Sequence, residues 1–364
     1  MRPARSEPFR RCTNWWREFV VADQFDDTRL DDPDALYAAD GLLRHLAGSG
    51  ARLRIEAEAA EGPLAAVQVE RPRAVLAVGP EARLLRAVLE PWCPIPFVAW
   101  PSTTLPQWVG TLDLVVVLGH GEPARDEALH ETVHEARRRG ARIMIACPPD
   151  AQIAECASSP STTLLPTTTG DELASAVVML QALAKAGVGP AVDPVLVADA
   201  MDLVAEECSP FRDISTNPAK EFALVAADAL PLVWGGSVLA ARASRRVAEQ
   251  VRAASGRATL AADAGELRTV LAGVPRRDLF ADPFESPADN RPALMMLDDG
   301  DESEGVLGDA RSLERAAEAA DVRIWRSVQG RGSVMERYAA LLQTGRFGAA
   351  YLGIALGREL PTLD

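Results

Sequence analysis

Lysine is nearly absent from this 364-residue chain: Lys185 and Lys220 are the only two, and 52 acidic residues leave a formal net charge of -14. That balance disfavours nucleic acid and anionic membrane surfaces as partners, although one local basic patch can still hold a phosphorylated metabolite. Cysteine is sparse and unpatterned. Cys12, Cys93, Cys147, Cys156 and Cys208 are odd in number, widely spaced and without a CxxC pair, which argues against a disulfide framework or a cysteine zinc site and for a reducing, cytoplasmic compartment. Long apolar runs are missing too. Asp228, Pro231 and glycines interrupt the most apolar stretches well short of a membrane span, and the first residues show no continuous apolar signal core. A soluble protein is expected.

What is present suits large cores, since 48% of the residues are hydrophobic and the length accommodates two domains. Residues 1–24, with Arg10, Arg11, Trp15 and Trp16, read as a tail. Residues 25–190 then form a first domain, and 191–364 a linking helix with a second. From Arg73 short apolar runs alternate with amphipathic segments, the pattern of βαβ units and parallel sheets. Strands are expected at 74–78, 95–99, 112–118, 142–146 and 163–166, and helices at 81–90, 124–139 and 171–186, the last with Thr169 as its cap. Beyond the break at Gly187-Val188-Gly189-Pro190 and a linking helix at 193–207, helices at 217–229, 238–254, 310–320 and 334–344 alternate with strands near Leu232, Ala258, Leu294 and Val322. The acidic stretches 282–290 and 298–304 read as exposed loops. The second lacks the spacing of a calcium loop.

The stretch from Asn217-Pro218-Ala219-Lys220 to Leu230-Pro231-Leu232-Val233-Trp234-Gly235-Gly236-Ser237 reads as helix, buried strand, glycine turn and helix start. Free N–H groups and the positive end of the dipole at such a start favour an anion, and glycines allow close backbone approach. Trp234, Gly235, Gly236 and Ser237 are therefore candidate ligand residues.

These motifs, with Tyr351-Leu352-Gly353-Ile354-Ala355-Leu356-Gly357, resemble the bacterial bifunctional phosphoglucose/phosphomannose isomerases built from sugar isomerase (SIS) domains, especially a divergent actinobacterial, TobH-like branch. The resemblance implies an α/β double-SIS architecture of two Rossmann-like three-layer halves with parallel sheets. It also implies a sugar-phosphate ligand, no cofactor and a homodimer. Active members carry a GxGGS turn after the first strand, where this chain has Val78-Gly79-Pro80-Glu81-Ala82, and an SxSGxTxE-type turn after the third, where it has Leu118-Gly119-His120-Gly121-Glu122-Pro123. Gly79, Gly119 and Gly121 are thus candidate ligand positions that have lost the family's hydroxyls. Isomerisation needs a base and an acid/base for ring opening. The resemblance places Glu266 as candidate base, but no histidine accompanies it and no lysine follows Lys220; His120 is the next candidate.

His130-Glu131-Thr132-Val133-His134 matches HExxH, a zinc-protease signature when both imidazoles share a helix face. No later histidine offers a third ligand, leaving Glu155 or Glu172, and a crossover helix usually covers its sheet. A metal is not expected. The sequence thus points to a hexose-phosphate-binding SIS protein with glucose/mannose 6-phosphate isomerisation as its activity. A non-catalytic phosphosugar-binding or regulatory protein is the alternative, and a zinc hydrolase a distant third.

Overall fold

The computed structural model describes residues 25–67, 71–79, 81–275 and 291–360. The tail 1–24 and the acidic stretch 282–290 lie outside the described residues. The described residues begin with a 3-10 turn and helices α1 (Pro33–Ala38), α2 (Asp40–Ala47) and α3 (Ser49–Ala66), an arm that the sequence pattern left unassigned. Its inward face is discontinuous. Leu43 and Leu46 of α2 and Leu53, Ala60 and Leu64 of α3 are buried, but so is Glu56, so no clean apolar stripe marks α3.

The first sheet follows, with β1 (Val75–Val78), α4 (Ala82–Leu89), β2 (Phe97–Ala99), β3 (Leu114–Leu118), α5 (Pro123–Arg138), β4 (Arg142–Cys147), α6 (Gln152–Ala157), β5 (Thr162–Pro166) and α7 (Glu172–Lys185). All its pairings are parallel, in the order β2-β1-β3-β4-β5. Every residue of β1 and β3 is buried, as expected of strands covered on both faces by helices. The strand order reverses between β1 and β3, so a crevice opens where their carboxyl ends diverge.

Helix α8 (Pro194–Glu207) leads to α9 (Pro218–Ala226), β6 (Leu230–Gly235), α10 (Val238–Ser255), β7 (Leu260–Ala261), α11 (Ala264–Ala272), β8 (Pro292–Asp298), α12 (Glu304–Ala319), β9 (Arg323–Val328) and α13 (Val334–Ala355). This second sheet is also parallel, in the order β7-β6-β8-β9. The molecule is therefore a double α/β structure with two parallel sheets. Among the described residues no helix is long and apolar enough to cross a membrane.

Several local expectations shift. Asp171, not Thr169, caps α7, because its carboxylate accepts from the amides of Leu173 and Ala174. The strand expected near Ala258 is two residues long and starts at Leu260. Residues 298–304 are the end of β8, a turn and the start of α12 rather than one loop. The C-terminal helix runs past Thr344 to Ala355 because its glycines serve packing instead of ending it. A Cβ on Gly345 would come within 2.3 Å of Val247, and one on Gly348 within 2.6 Å of the Phe222 ring, so these glycines let α10 and α9 lie close against α13. The Tyr351 to Gly357 motif is the end of this buried helix. Tyr351 donates its hydroxyl to the Cys208 carbonyl at 2.7 Å.

Candidate functional site

Loops at the carboxyl edge of the first sheet face α10 of the second half. Arg242 and Arg246, one turn apart on α10, reach across this cleft. Arg242 meets Glu81 at 3.1 Å, and Arg246 meets Glu81 at 3.0 Å, Glu172 at 2.7 Å and Glu249 at 2.9 Å. Glu81 is 3% exposed and Arg242 6%, so the pair is compensated in a water-poor setting.

The turn after β3 shows how far the anion site is already filled. Asp126, in the first turn of α5, accepts from the backbone N–H of His120 at 2.9 Å and of Gly121 at 2.8 Å. Its other neighbour is the His120 ring, whose Nδ1 lies 3.1 Å away, while Nε2 lies 3.3 Å from Glu172. Burial alone would raise the Asp126 carboxyl, but the His120 ring and the two loop amides hold it below the usual carboxylate range. Its hydrogen bond to Asp126, followed by the contact to Glu172, raises His120 to about 9. Glu172 is held down at about 2, first by His120 and then by Arg246 and Arg125. His120 is therefore an imidazolium at neutral pH, unsuited to act as a base. Its loop donates to the chain's own carboxylate where the family pattern offers donors to a phosphate.

A similar substitution occurs after β5. Glu56 of α3, fully buried, accepts from the amides of Thr168 and Thr169 and from the Thr169 hydroxyl. Thr169 thus serves this carboxylate, and its hydroxyl also accepts from the amide of Asp171, the cap of α7, at 3.3 Å.

The turn after β6 has equally local duties. Ser237 Oγ accepts from the Ala240 amide at 3.0 Å as the cap of α10 and donates to Asp299 at 2.5 Å. Asp299, 7% exposed, thereby supplies an anion beside this helix start. A Cβ on Gly235 would fall 2.2 Å from the Ala240 carbonyl, and one on Gly236 would fall 2.5 Å from Val306. Trp234 is buried with Leu232 and Leu294 in the second half's core. The glycines and the tryptophan that the sequence assigned to a ligand here hold helices against β6. Asn217 accepts from the amides of Ala219 and Lys220 as the cap of α9. Lys220 is fully buried and donates to Asp31 and to the carbonyls of Pro210 and Arg212.

Glu266, the candidate base, lies in the first turn of α11 with its side chain exposed. It lines neither cleft cavity, and no contact joins it to His120 among the described residues. Gly79, with φ +106, lines the first cavity together with Arg83, Thr103, Thr132, Arg242 and Arg246; the volume is about 360 Å3. Glycine is needed there, because a Cβ would sit 2.4 Å from the Leu118 carbonyl oxygen. Gly119 and Gly121 pack instead against Cys147 and Pro148. A second cavity of about 420 Å3 lies on the other side of Arg246, lined by His45, Thr169, Gly170, Glu172 and Arg346.

Two features make the first cavity receptive to an anion. Arg242 Nε is buried with no hydrogen-bond partner among the described residues. Arg83 is exposed and pairs with no described residue. The sequence reading missed Glu81, Asp126, Arg242 and Arg246. A usable signal was available, since Arg242 and Arg246 are spaced i, i+4 on the helix that follows the glycine turn, which puts both guanidinium groups on one face.

The HExxH stretch does not assemble a metal centre. Val133 and Ala136 are buried, His134 and Glu131 are exposed, and His130 turns toward Cys156 with Nδ1 3.3 Å from Sγ. Among the described residues no group of three or more histidine, cysteine, aspartate and glutamate side chains is arranged to hold a metal ion.

Comparison with known proteins agrees with this architecture. Residues 215–360 match the family model described as the bacterial phospho-glucose isomerase C-terminal SIS domain. No curated protein matches the chain in sequence. Among solved structures, a glucose-6-phosphate isomerase like protein from Thermus thermophilus superposes with a TM-score of 0.56 at 18% identity, covering 90% of this chain and 94% of that one. The tagatose-6-phosphate ketose/aldose isomerase of Escherichia coli gives 0.59 at 13% identity, with 90% and 94% covered. A phosphosugar isomerase named as putative from Bacillus subtilis gives 0.56 at 14% identity, with 84% and 94% covered. At these identities the superpositions speak for the fold alone, and the likeness in sequence lies in residues 215–360, which match the bacterial phosphoglucose isomerase C-terminal SIS domain.

Proposed function

We propose that this chain binds a phosphorylated hexose in the cleft between its halves and does not interconvert aldose and ketose. The observation that carries the reading is the first cavity, where, among the described residues, the buried Nε of Arg242 has no hydrogen-bond partner and the Arg83 guanidinium makes no ion pair. A buried donor without an acceptor costs about 1–3 kcal/mol, and a phosphate oxygen removes that cost while a second guanidinium adds a charge-assisted contact. The cavity falls within the range of about 300–1,000 Å3 usual for small-molecule sites, and it opens beside Gly79, one of the sequence's candidate ligand positions.

The absence of turnover follows from the acid and base groups. Isomerisation requires a group that accepts a proton within hydrogen-bond reach of the sugar carbons. His120 is protonated and held between Asp126 and Glu172, and Glu266 is exposed on a helix that lines neither cavity. The runner-up, isomerase activity with Glu266 as base, rests on the family match alone. A homodimer and a cytoplasmic location belong to the same proposal, and light scattering of the purified chain tests the dimer. Thermal shift against glucose, fructose and mannose 6-phosphates, with free hexoses and inorganic phosphate as controls, tests binding. Stabilisation by a hexose phosphate that is lost in Arg83→Ala and Arg242→Lys supports the site, and a shift unchanged in both variants refutes it.

A further inference from the structure

The four described cysteines differ sharply in surroundings. Cys147 and Cys208 are buried, and burial pushes both thiols up to about 12. Cys93 and Cys156 are half-buried. Of these two only Cys156 has an imidazole at hydrogen-bond distance, His130 on the neighbouring helix α5. Both residues lie outside the cleft cavities. The geometry points to Cys156 as a modification site, a nucleophilic thiol served by His130 and open to exchange with low-molecular-weight disulfides.

The chemistry requires a nucleophile and a base in contact, and this pair supplies both. With the ring hydrogen on Nε2, His130 Nδ1 accepts the Cys156 thiol proton. The sulfur then attacks one sulfur of an incoming disulfide. A new S–S bond forms to Cys156, the old one breaks, and the departing thiolate takes up the proton. One protein thiol and one small disulfide thus give a mixed disulfide and one small thiol, with Cys156 oxidised and the leaving sulfur reduced. Cys156 sits in the last turn of α6, away from the amino end of that helix, so the reaction depends on the imidazole rather than on the helix. The side chain of Arg137, also on α5, donates to the Cys156 carbonyl at 2.5 Å and fixes the end of α6 against the helix that carries His130.

The test uses the full chain with Cys12→Ser, since Cys12 lies outside the described residues. The chain is treated with the aromatic disulfide DTNB, and the modified cysteines are mapped by mass spectrometry. The expected result is one fast thiol that maps to Cys156, slower reaction at Cys93, and protection of Cys147 and Cys208. His130→Gln should slow Cys156 about tenfold or more while leaving the Cys93 rate unchanged. If that variant also exposes Cys147 and Cys208, it has lost its fold, and the order of labelling in the unaltered chain decides. A fast thiol at Cys93, or a Cys156 rate indifferent to His130→Gln in a folded chain, overturns the proposal.

Discussion

Arg246 on α10 lies 2.7 Å from Glu172 at the start of α7, an ion pair that joins the second half of the chain to the carboxyl edge of the first sheet. Glu172 is also the neighbour of His120, so one carboxylate links the turn after β3 to the opposite half. Replacing Glu172 with glutamine should loosen this tie and leave Arg246, still paired with Glu81 and Glu249, with one carboxylate fewer to compete with an incoming phosphate. Hexose-phosphate affinity should rise several-fold while the unliganded midpoint falls. Titration calorimetry beside thermal melts checks both, and weaker binding would show that Glu172 helps the ligand instead of competing with it.

The His120 cluster sets a pH dependence whose sign follows from its shifts. Folding raises His120 from 6.5 to about 9, so its contribution is complete below about 6.5 and is lost as pH rises through 9. Glu172 is depressed from 4.5 to about 2, so its contribution holds above 4.5 and is lost as pH falls through 2. The thermal midpoint should therefore decline between pH 7 and 10, and the decline should be shallower in His120→Gln. Parallel profiles for the two proteins would remove His120 from the account.

Asp126→Asn keeps the shape of the side chain but presents an NH2 group to a turn that offers two N–H donors. One amide of the His120–Gly121 turn then loses its acceptor, and the His120 imidazolium loses its closest counter-charge. A loss of about 2–4 kcal/mol is expected in denaturant unfolding. A change under about 0.5 kcal/mol would mean that water replaces the carboxylate without difficulty.

Gly348→Ala adds a methyl group 2.6 Å from the Phe222 ring at the seam between α13 and α9. Overpacking of this kind costs about 1–3 kcal/mol. The midpoint should fall with hexose-phosphate binding retained, because the seam lies away from Arg83 and Arg242.

The parallel-sheet plan was legible because its signal is local. The runs at β1, β3, β4, β6 and β8 are apolar, short and separated by helical spacing, so their number and type could be read directly. The arm α1–α3 was not, because its buried face includes Glu56, whose partners are backbone amides of Thr168 and Thr169, more than a hundred residues away. The end of α13 was misjudged for a related reason: a glycine reads locally as a breaker, and only Phe222 and Val247 show that it is a contact. The sequence singled out the turns after β1, β3 and β6 as candidate ligand turns, but not the acids that lie beside them. Asp126, Asp299 and Glu81 are unremarkable acids in one dimension, and only folding brings each to a helix start or an arginine that would otherwise receive an anion.

The central claim is that the cleft binds a phosphorylated hexose without turning it over, and one coupled measurement addresses it. The purified chain is titrated with fructose 6-phosphate in a calorimeter, and the same sample is assayed for glucose 6-phosphate and mannose 6-phosphate formed. The account predicts saturable binding that Arg83→Ala weakens at least tenfold, with no product above background. Robust turnover abolished by Glu266→Gln would contradict it and make the chain an isomerase, and an absence of binding to any hexose 6-phosphate would remove the cleft as the site.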